Sequence, residues 1–208
     1  MVTNPLQGSA VMMPRSALKK DKRAAEYHRR KIDELGDPLL VLDQYVDFSA
    51  LADTVDRVTP RIISPKGGRP PFPTEVMVRI IILKHFHNLS DEKREYQLLD
   101  HMSWQRFCRL TDVINIPDRN TIWYFEKRIG QEGARALFDE AKHPLSAHKK
   151  IAKTRARVEH IFGSFSQMGD KFIRTVGQLR ANVVMTLKAT CYDLQRLVYF
   201  RKSSIHAF

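Results

Sequence analysis

The segment from Ser64 to Pro73 limits the possible fold more than any other stretch of this chain. Its ten residues include four prolines and two glycines, so it cannot form a helix or a central strand. On both sides of it, apolar residues recur at the three- and four-residue spacing of amphipathic helices. The chain is therefore predicted to be mainly α, with this segment as a connector between helices.

Basic residues are concentrated in particular parts of the chain. The formal net charge is +12, and residues 141–208 carry 13 Lys and Arg against 3 Asp and Glu. An excess of this size favours a polyanionic partner, and nucleic acid is the commonest one for a soluble chain. A second basic run, residues 15–31, could contact phosphates, or it could be a solvated helix face or a tail.

Cysteine usage and hydropathy indicate a soluble protein. Cys108 and Cys191 lie far apart without metal-ligand spacing, so neither a zinc knuckle nor a disulfide framework is indicated. Arg79 and Lys84 interrupt the most apolar stretch, residues 76–86, well before it reaches the ~18 residues needed to span a bilayer. We expect a protein of the reducing cytoplasm with no membrane partner.

Two helices are predicted before residue 87, and their first turns have recognisable signals. Asp37 and Pro38 are typical of a helix start, and Thr74 can cap a second helix that is apolar enough to lie in the core. Asp118, farther along, is interpreted as a turn or cap residue and not as a catalytic acid.

Three short helices are predicted between residues 90 and 130. Ser90 and Ser103 are good N-caps for the first two, and the third runs from about Asn120 to Ile129 before Gly130 ends it. This succession is typical of a helix-turn-helix, whose last helix reads DNA, although a generic three-helix bundle with a solvated face is the alternative. The outward residues of the third helix are Arg119, Asn120, Thr121, Trp123, Tyr124, Lys127 and Arg128.

Two amphipathic helices are predicted in the carboxyl-terminal third. In the first, the apolar stripe of residues 158–168 leaves Glu159 on its flank, one turn after Arg155. Judged from these residues alone, Glu159 is an exposed member of an ion pair. The second helix repeats apolar residues from 183 to 198, and its outward cations are Lys188, Arg196 and Arg201.

Several motifs occur in one order along residues 37–130. They are Gly67-Gly-Arg-Pro-Pro-Phe-Pro73, Asn88-Leu-Ser-Asp-Glu92, Glu95-Tyr-Gln97, Asp100-His-Met-Ser-Trp104 and Pro117-Asp-Arg-Asn-Thr-Ile-Trp123. Together they closely resemble the amino-terminal domain of insertion-sequence transposases of the fifth family. The later motif Arg157-Val-Glu159-His-Ile-Phe-Gly163, followed by Lys171-Phe-Ile-Arg174, looks like the carboxyl-terminal part of the same family.

The resemblance implies a catalytic position for Glu159, the third acid of a DDE triad that holds Mg²⁺ for strand cleavage. In that family the two preceding aspartates lie on a ribonuclease-H-like sheet. Here only 18 residues separate Glu140 from Glu159, whereas five strands need ~25 residues before any turn is counted. We therefore expect the sheet to be absent or vestigial and the metal site to be incomplete. Further candidate DNA contacts near Glu159 are Lys153, Arg155 and Arg157.

An internal deletion near residues 143–150 is the simplest account of the short spacing, and we treat it as a hypothesis. The expected organisation is a basic segment at 1–36, a helical transposase amino-terminal domain of DNA-binding type at 37–140, a basic linker with the deletion junction at 141–157, and a helical remnant of the catalytic domain at 158–208.

These features predict a transposase-family protein that binds double-stranded DNA, at the ends of an insertion sequence, but is defective in cleavage. The alternatives are a non-enzymatic DNA-binding regulator or inhibitor that pairs with intact transposase, and a nonfunctional remnant. Self-association through the carboxyl-terminal stripes is a further expectation. A DNA-binding protein of this kind is expected with the nucleoid.

Overall fold

The computed structural model describes residues 21–61, 70–146 and 177–202. No strand occurs within these ranges, and the predicted mainly α fold is confirmed. The chain divides into two compact units, residues 1–35 and 36–208. The helices are α1 (Ala24–Leu35), α2 (Pro38–Tyr45), α3 (Phe48–Val58), α4 (Thr74–Phe86), α5 (Asp91–Asp100), α6 (Met102–Phe107), α7 (Arg119–Ser146) and α8 (Gln178–Lys202).

Helix α1 is the described part of the first unit. None of its residues is buried, and most of its charged side chains are exposed. Arg30 pairs with Glu26 at 2.6 Å and Lys31 pairs with Glu34 at 2.9 Å, both along the helix surface. Exposed pairs of this spacing contribute only ~0.3–0.5 kcal/mol each, so they support the helix without fixing a tertiary position.

Side-chain caps begin several helices of the second unit. Asp37 accepts a hydrogen bond from the Leu39 backbone N–H at 2.9 Å, which confirms the predicted start of α2. Ser90 accepts from the Lys93 N–H at 3.3 Å and caps α5 as predicted. Each cap satisfies a backbone donor that the first helical turn would otherwise leave unpaired.

Two predicted caps are wrong. Thr74 is the first residue of α4, and its hydroxyl donates instead to Asp56 Oδ1 at 2.8 Å. Ser103 lies inside α6, whose cap position is His101 and has no side-chain hydrogen bond. In the first case Thr74 stands one position after the cap, and its oxygen accepts from Arg61 Nη2 at 3.2 Å instead of from a backbone N–H.

Helix α4 forms the centre of the core. Its residues 76–83 are all buried, and Val78, Ile80, Ile81 and Leu83 are completely so. The helix packs against α3, α7 and α8, and this surrounding explains why it is apolar on every side. The prediction of a core helix here is confirmed.

Helix α7 changes direction at Gly130. The backbone there has φ 49° and ψ −150°, a conformation that residues with a Cβ rarely adopt. Before the break, Ile122, Phe125 and Ile129 form the predicted buried face. Gly130 ends the regular helical geometry as predicted, and a second helical segment follows it to Ser146.

Helix α8 packs mainly along α7 and also contacts α4 and α2. Leu187, Cys191 and Leu194 are buried as the pattern predicts. The prediction that Lys188 points outward is wrong, because its side chain is only 1% exposed. Neighbouring helices cover α8 on more than one side, so a residue next to its apolar stripe is enclosed as well. Arg201, by contrast, is exposed and donates to the Tyr45 carbonyl at 2.7 Å.

Both cysteines are buried and free, in agreement with the absence of a disulfide framework in the sequence. Burial raises the pKa of the Cys108 and Cys191 thiols well above the ordinary value. Within the described ranges, no helix has an apolar stretch that reaches the length of a membrane span.

Candidate nucleic-acid interface

Helices α5, α6 and α7 follow one another in the chain, and α5 contacts both of the others. Asp118 caps α7, because its Oδ1 accepts from the Thr121 N–H at 2.7 Å. The interpretation of Asp118 as a cap residue is confirmed. Residues 108–118 connect α6 to α7 and make a longer link than the three- or four-residue turn of a compact helix-turn-helix.

Two neighbouring stripes of side chains cover the outward side of α7 before Gly130. Residues four apart lie above one another on a helix, so 119, 123 and 127 form one stripe and 120, 124 and 128 form the other. We call the exposed members of these stripes the α7 face. They are Arg119, Asn120, Trp123, Tyr124 and Lys127.

Two aromatic rings lie at the centre of the α7 face. Trp123 is 40% exposed and Tyr124 is 65% exposed, and their ring centroids are 5.0 Å apart in an edge-to-face arrangement. The Lys127 ammonium is 5.3 Å from the centroid of the Trp123 ring. Large aromatic side chains this exposed next to a cation are typical of binding surfaces for partners with both apolar and anionic parts.

The amino-terminal end of the α7 face is more polar. Arg119 is 56% exposed and pairs at 3.3 Å with Glu92, which is itself 81% exposed. A pair this open to solvent contributes little and can exchange its partner readily. Asn120 is exposed, whereas Thr121 is half-buried beside the capped turn. The structure therefore brings Arg119, Asn120 and Lys127 onto one surface and leaves Thr121 at its margin.

Arg128 does not point outward as predicted. Its side chain is only 20% exposed and lies over the Phe125 ring, with the guanidinium carbon 4.9 Å from the ring centroid. Its Nη2 pairs with Asp56 Oδ1 at 3.3 Å, and its Nε and Nη1 are buried without a hydrogen-bond partner. Burial and the nearby Arg61 lower the pKa of Arg128 below its ordinary value.

A buried network of charges anchors α7 from behind. Glu126 accepts from Lys84 Nζ at 2.6 Å and lies 3.5 Å from Arg94 Nη1. Asp91 pairs with the same two cations, at 2.8 Å and 3.1 Å respectively. Because Arg94 is fully buried and Lys84 nearly so, these pairs tie α4, α5 and α7 together. These ion pairs fix α7, and with it the α7 face, against α4 and α5.

Sequence reasoning did not single out this network or the contact between Asp56 and Arg128. The partners come from helices that are far apart in the sequence, 72 positions in the case of Asp56 and Arg128. Only Asp91 and Arg94 show the three- or four-residue spacing that marks ion pairs within one helix, whereas Glu126 and Lys84 lie on different helices, as do Asp56 and Arg128. Their only signal in the sequence is a charge inside or beside an apolar stripe.

The remaining predicted site residues lie outside the described residues. They are Glu159, Lys153, Arg155 and Arg157. Within residues 21–61, 70–146 and 177–202, no group of three or more His, Cys, Asp or Glu side chains could hold a metal ion. The described side chains therefore do not fit a magnesium centre, and no chemical step through one follows from them.

Residues 26–128 match the family described as Transposase domain (DUF772). The match runs from α1 to the last residues of the α7 face and ends two positions before Gly130. No solved structure matches the chain. The match covers just under half of the 208-residue chain and supports a transposase-family protein.

Proposed function

We propose that the chain binds the double-stranded DNA of an insertion sequence, at the element ends, through the α7 face. The observation that carries this proposal is the grouping of two cations, an amide and two exposed aromatic rings on one side of an anchored helix. The net charge of +12 favours an anionic partner for the chain as a whole, although most of the excess lies in residues 141–208 and not on the α7 face. The match to a transposase domain supports the proposal as well.

The side chains of the α7 face have distinct tasks in this proposal. Asn120 can bond the adenine edge and Arg119 the guanine edge, as these side chains commonly do in the major groove. Lys127 contacts a phosphate, which fixes the register but carries no sequence information. Trp123 and Tyr124 supply apolar contact area between these polar groups. We propose in addition that α5, α6 and α7 act together as a helix-turn-helix unit, in which α7 is the helix that contacts DNA.

We further propose that this chain does not cleave DNA. The sequence has one acid, Glu159, at the family's catalytic positions, and the 18 residues before it leave no room for the strands that carry the other two. Magnesium would supply activation of the nucleophile and stabilisation of the leaving oxygen in an intact relative. A hard cation held by a single carboxylate lacks the geometry for either task.

The second candidate function is a non-enzymatic regulator or inhibitor that competes for the element ends or pairs with intact transposase. The packing of α8 along α7, α4 and α2 favours this reading over a nonfunctional remnant. With α8 in place, the described helices bury one continuous core. A protein that folds in this way can occupy DNA without catalysing a reaction on it.

The Lys127→Ala variant tests the binding surface. We expect it to weaken affinity for element-end duplex and to lower the slope of log K against log salt by about one, because one phosphate contact is lost. The matched control is Arg135→Ala, which removes one exposed cation from the same helix beyond Gly130. Fluorescence anisotropy titrations at several salt concentrations measure both quantities.

The control should retain the affinity and salt slope of the unaltered protein. Equal losses in the two variants would show a diffuse charge effect and contradict a defined α7 face. Titration of a scrambled duplex of the same length separates the proposed specificity from general attraction. Equal affinity for both duplexes at every salt concentration would refute binding to element ends, because phosphate contacts alone give that result.

Incubation with labelled element-end DNA tests the cleavage defect. With Mg²⁺ or Mn²⁺ present, we expect no nick above the level seen for Glu159→Gln, since one acid of three cannot hold the ions. Nicks that appear with the unaltered protein and disappear in the variant would refute the proposed defect.

A further inference from the structure

A chain of hydrogen bonds joins the ends of three helices beside the α7 face. Arg61, just after α3, donates to the Phe72 carbonyl at 2.5 Å and to Thr74 Oγ1 at 3.2 Å. The Thr74 hydroxyl donates to Asp56 Oδ1 at 2.8 Å, and the same oxygen accepts from Arg128 at 3.3 Å. The Asp56 carboxylate thus pairs directly with Arg128 and is linked to Arg61 through the Thr74 hydroxyl, at the junction of α3, α4 and α7.

Arg128 is poorly satisfied where it lies. Its one ion pair is long, and the partner Asp56 is 47% exposed, so solvent weakens the attraction. Two of its nitrogen atoms are buried without an acceptor, so the water that they lost on folding is not replaced by any hydrogen bond. The like charge of Arg61 nearby adds repulsion. An acceptor with several oxygen atoms outside the protein would offer this side chain more bonds than Asp56 does.

The position of Arg128 relative to the α7 face suggests which acceptor this is. Arg128 lies one turn beyond Tyr124 in the stripe that also contains Asn120, and it directly follows Lys127. A guanidinium binds phosphate through two parallel N–H donors, a geometry that Asp56 does not provide here. The stripe therefore leads from Asn120, the proposed base contact, to Arg128, and Lys127 lies next to its end.

We propose that Arg61 and Arg128 form a binding site for one backbone phosphate of the bound DNA, and that Asp56 takes the place of this phosphate in the free protein. The inference rests on the proposed function, because the phosphate belongs to the duplex on the α7 face. When DNA binds, Arg128 leaves Asp56 and its unpaired nitrogen atoms gain acceptors. Asp56 then acts as an internal competitor that lowers affinity for DNA.

A double-mutant cycle on Asp56 and Arg128 tests the site. We expect Asp56→Asn to tighten binding of element-end duplex about two- to fivefold, because the competing charge is removed while an oxygen that accepts from Thr74 remains. We expect Arg128→Gln to weaken binding, and Asp56→Asn to give no gain when added to Arg128→Gln. The matched control is Asp53→Asn, which removes one exposed carboxylate from the same helix.

Four outcomes would overturn the proposal. An increase in affinity that Asp56→Asn still causes in the Arg128→Gln background would show only a long-range effect of charge. The same holds for an equal increase caused by Asp53→Asn. Weaker binding by Asp56→Asn would show that Asp56 positions Arg128 for DNA. Binding that Arg128→Gln leaves unchanged would remove the phosphate contact.

A second cycle, with Arg61→Gln in place of Arg128→Gln, provides an independent measure if the first double variant fails to fold. The thermal midpoint of each variant, followed by circular dichroism, identifies such a failure. If the unaltered protein binds no DNA, the proposed function fails together with this site. If it binds DNA and neither cycle shows coupling, the phosphate site alone is refuted.

Discussion

Replacement of Arg79 by glutamine is expected to lower the free energy of unfolding by about 3–5 kcal/mol, among the largest losses available from a single side chain in this protein. Arg79 is 2% exposed and pairs with Asp43 at 2.7 Å and with Glu75 at 2.8 Å. It also donates to the Phe107 carbonyl at 3.0 Å. Its guanidinium lies 4.2 Å from the Phe48 ring centroid, so its loss also removes a cation–π contact.

The chain provides a matched control for Arg79. Arg109 pairs with the same carboxylate, Asp43, at 3.1 Å, but its side chain is 57% exposed. Arg109→Gln should therefore cost no more than about 1 kcal/mol. Urea titrations followed by circular dichroism measure both free energies. Similar losses in the two variants would show that the enclosed position of Arg79 adds nothing to its ion pair.

Acid is expected to destabilise the fold through His85 in particular. This histidine is buried in α4, where burial, Lys84, Lys188 and Arg94 lower its pKa from 6.5 to about 3, against a small opposing effect of Asp91. In the unfolded chain His85 takes up a proton below pH 6.5, while the folded protein keeps it neutral down to about pH 3. The stability that it contributes is complete above pH 6.5 and is lost as the pH falls through this window.

The expected loss is about 1.4 kcal/mol for each pH unit, or about 2.7 kcal/mol between pH 6.5 and about pH 4.5. Urea titrations across this range should therefore show a steeper decline for the unaltered protein than for His85→Gln, which cannot take up the proton. The control is Ile81→Val on the same helix, a buried residue whose truncation costs about 0.5–1.5 kcal/mol without changing any charge. Equal slopes for the unaltered protein and His85→Gln would contradict the assignment.

Local signals in the sequence predicted much of the secondary structure. Ser90 and Asp118 act as caps because the donors that they bind lie three residues ahead, within reach of any helix that starts there. The apolar run of α4 predicted a core helix because such a helix needs cover on every side. Thr74 failed as a cap because Pro73 takes the cap position, and the Thr74 oxygen accepts from Arg61, 13 positions away.

Charged residues inside the core could not be predicted in the same way. Lys188 and Arg79 each look like an outward or interrupting residue in the sequence, since a charge seldom lies in an apolar stripe without partners. Arg79 is buried because Asp43 and Glu75 neutralise it. Lys188 is enclosed because α8 packs against several helices at once. Only the tertiary arrangement brings such groups together.

The α7 face was largely visible in the sequence, but its environment was not. The helical period separates Trp123 and Tyr124 from the buried Ile122 and Phe125, and the structure places all four on the expected sides. Arg128 follows the same period and yet folds back toward α3, because Asp56 and the Phe125 ring attract it. The proposed competition between Asp56 and DNA therefore has no counterpart in the sequence pattern.

The break at Gly130 has a consequence for how this chain tolerates changes of length. In a straight, continuous helix, each residue inserted or deleted in the second half would rotate the residues after it by about 100° relative to the first half. With helical geometry interrupted at Gly130, the two parts of α7 do not share one continuous register, although Thr54 of α3 also reaches Glu140 in the second part at 3.4 Å. Rearrangement of the chain beyond residue 130 thus leaves the register of the preceding turns unchanged.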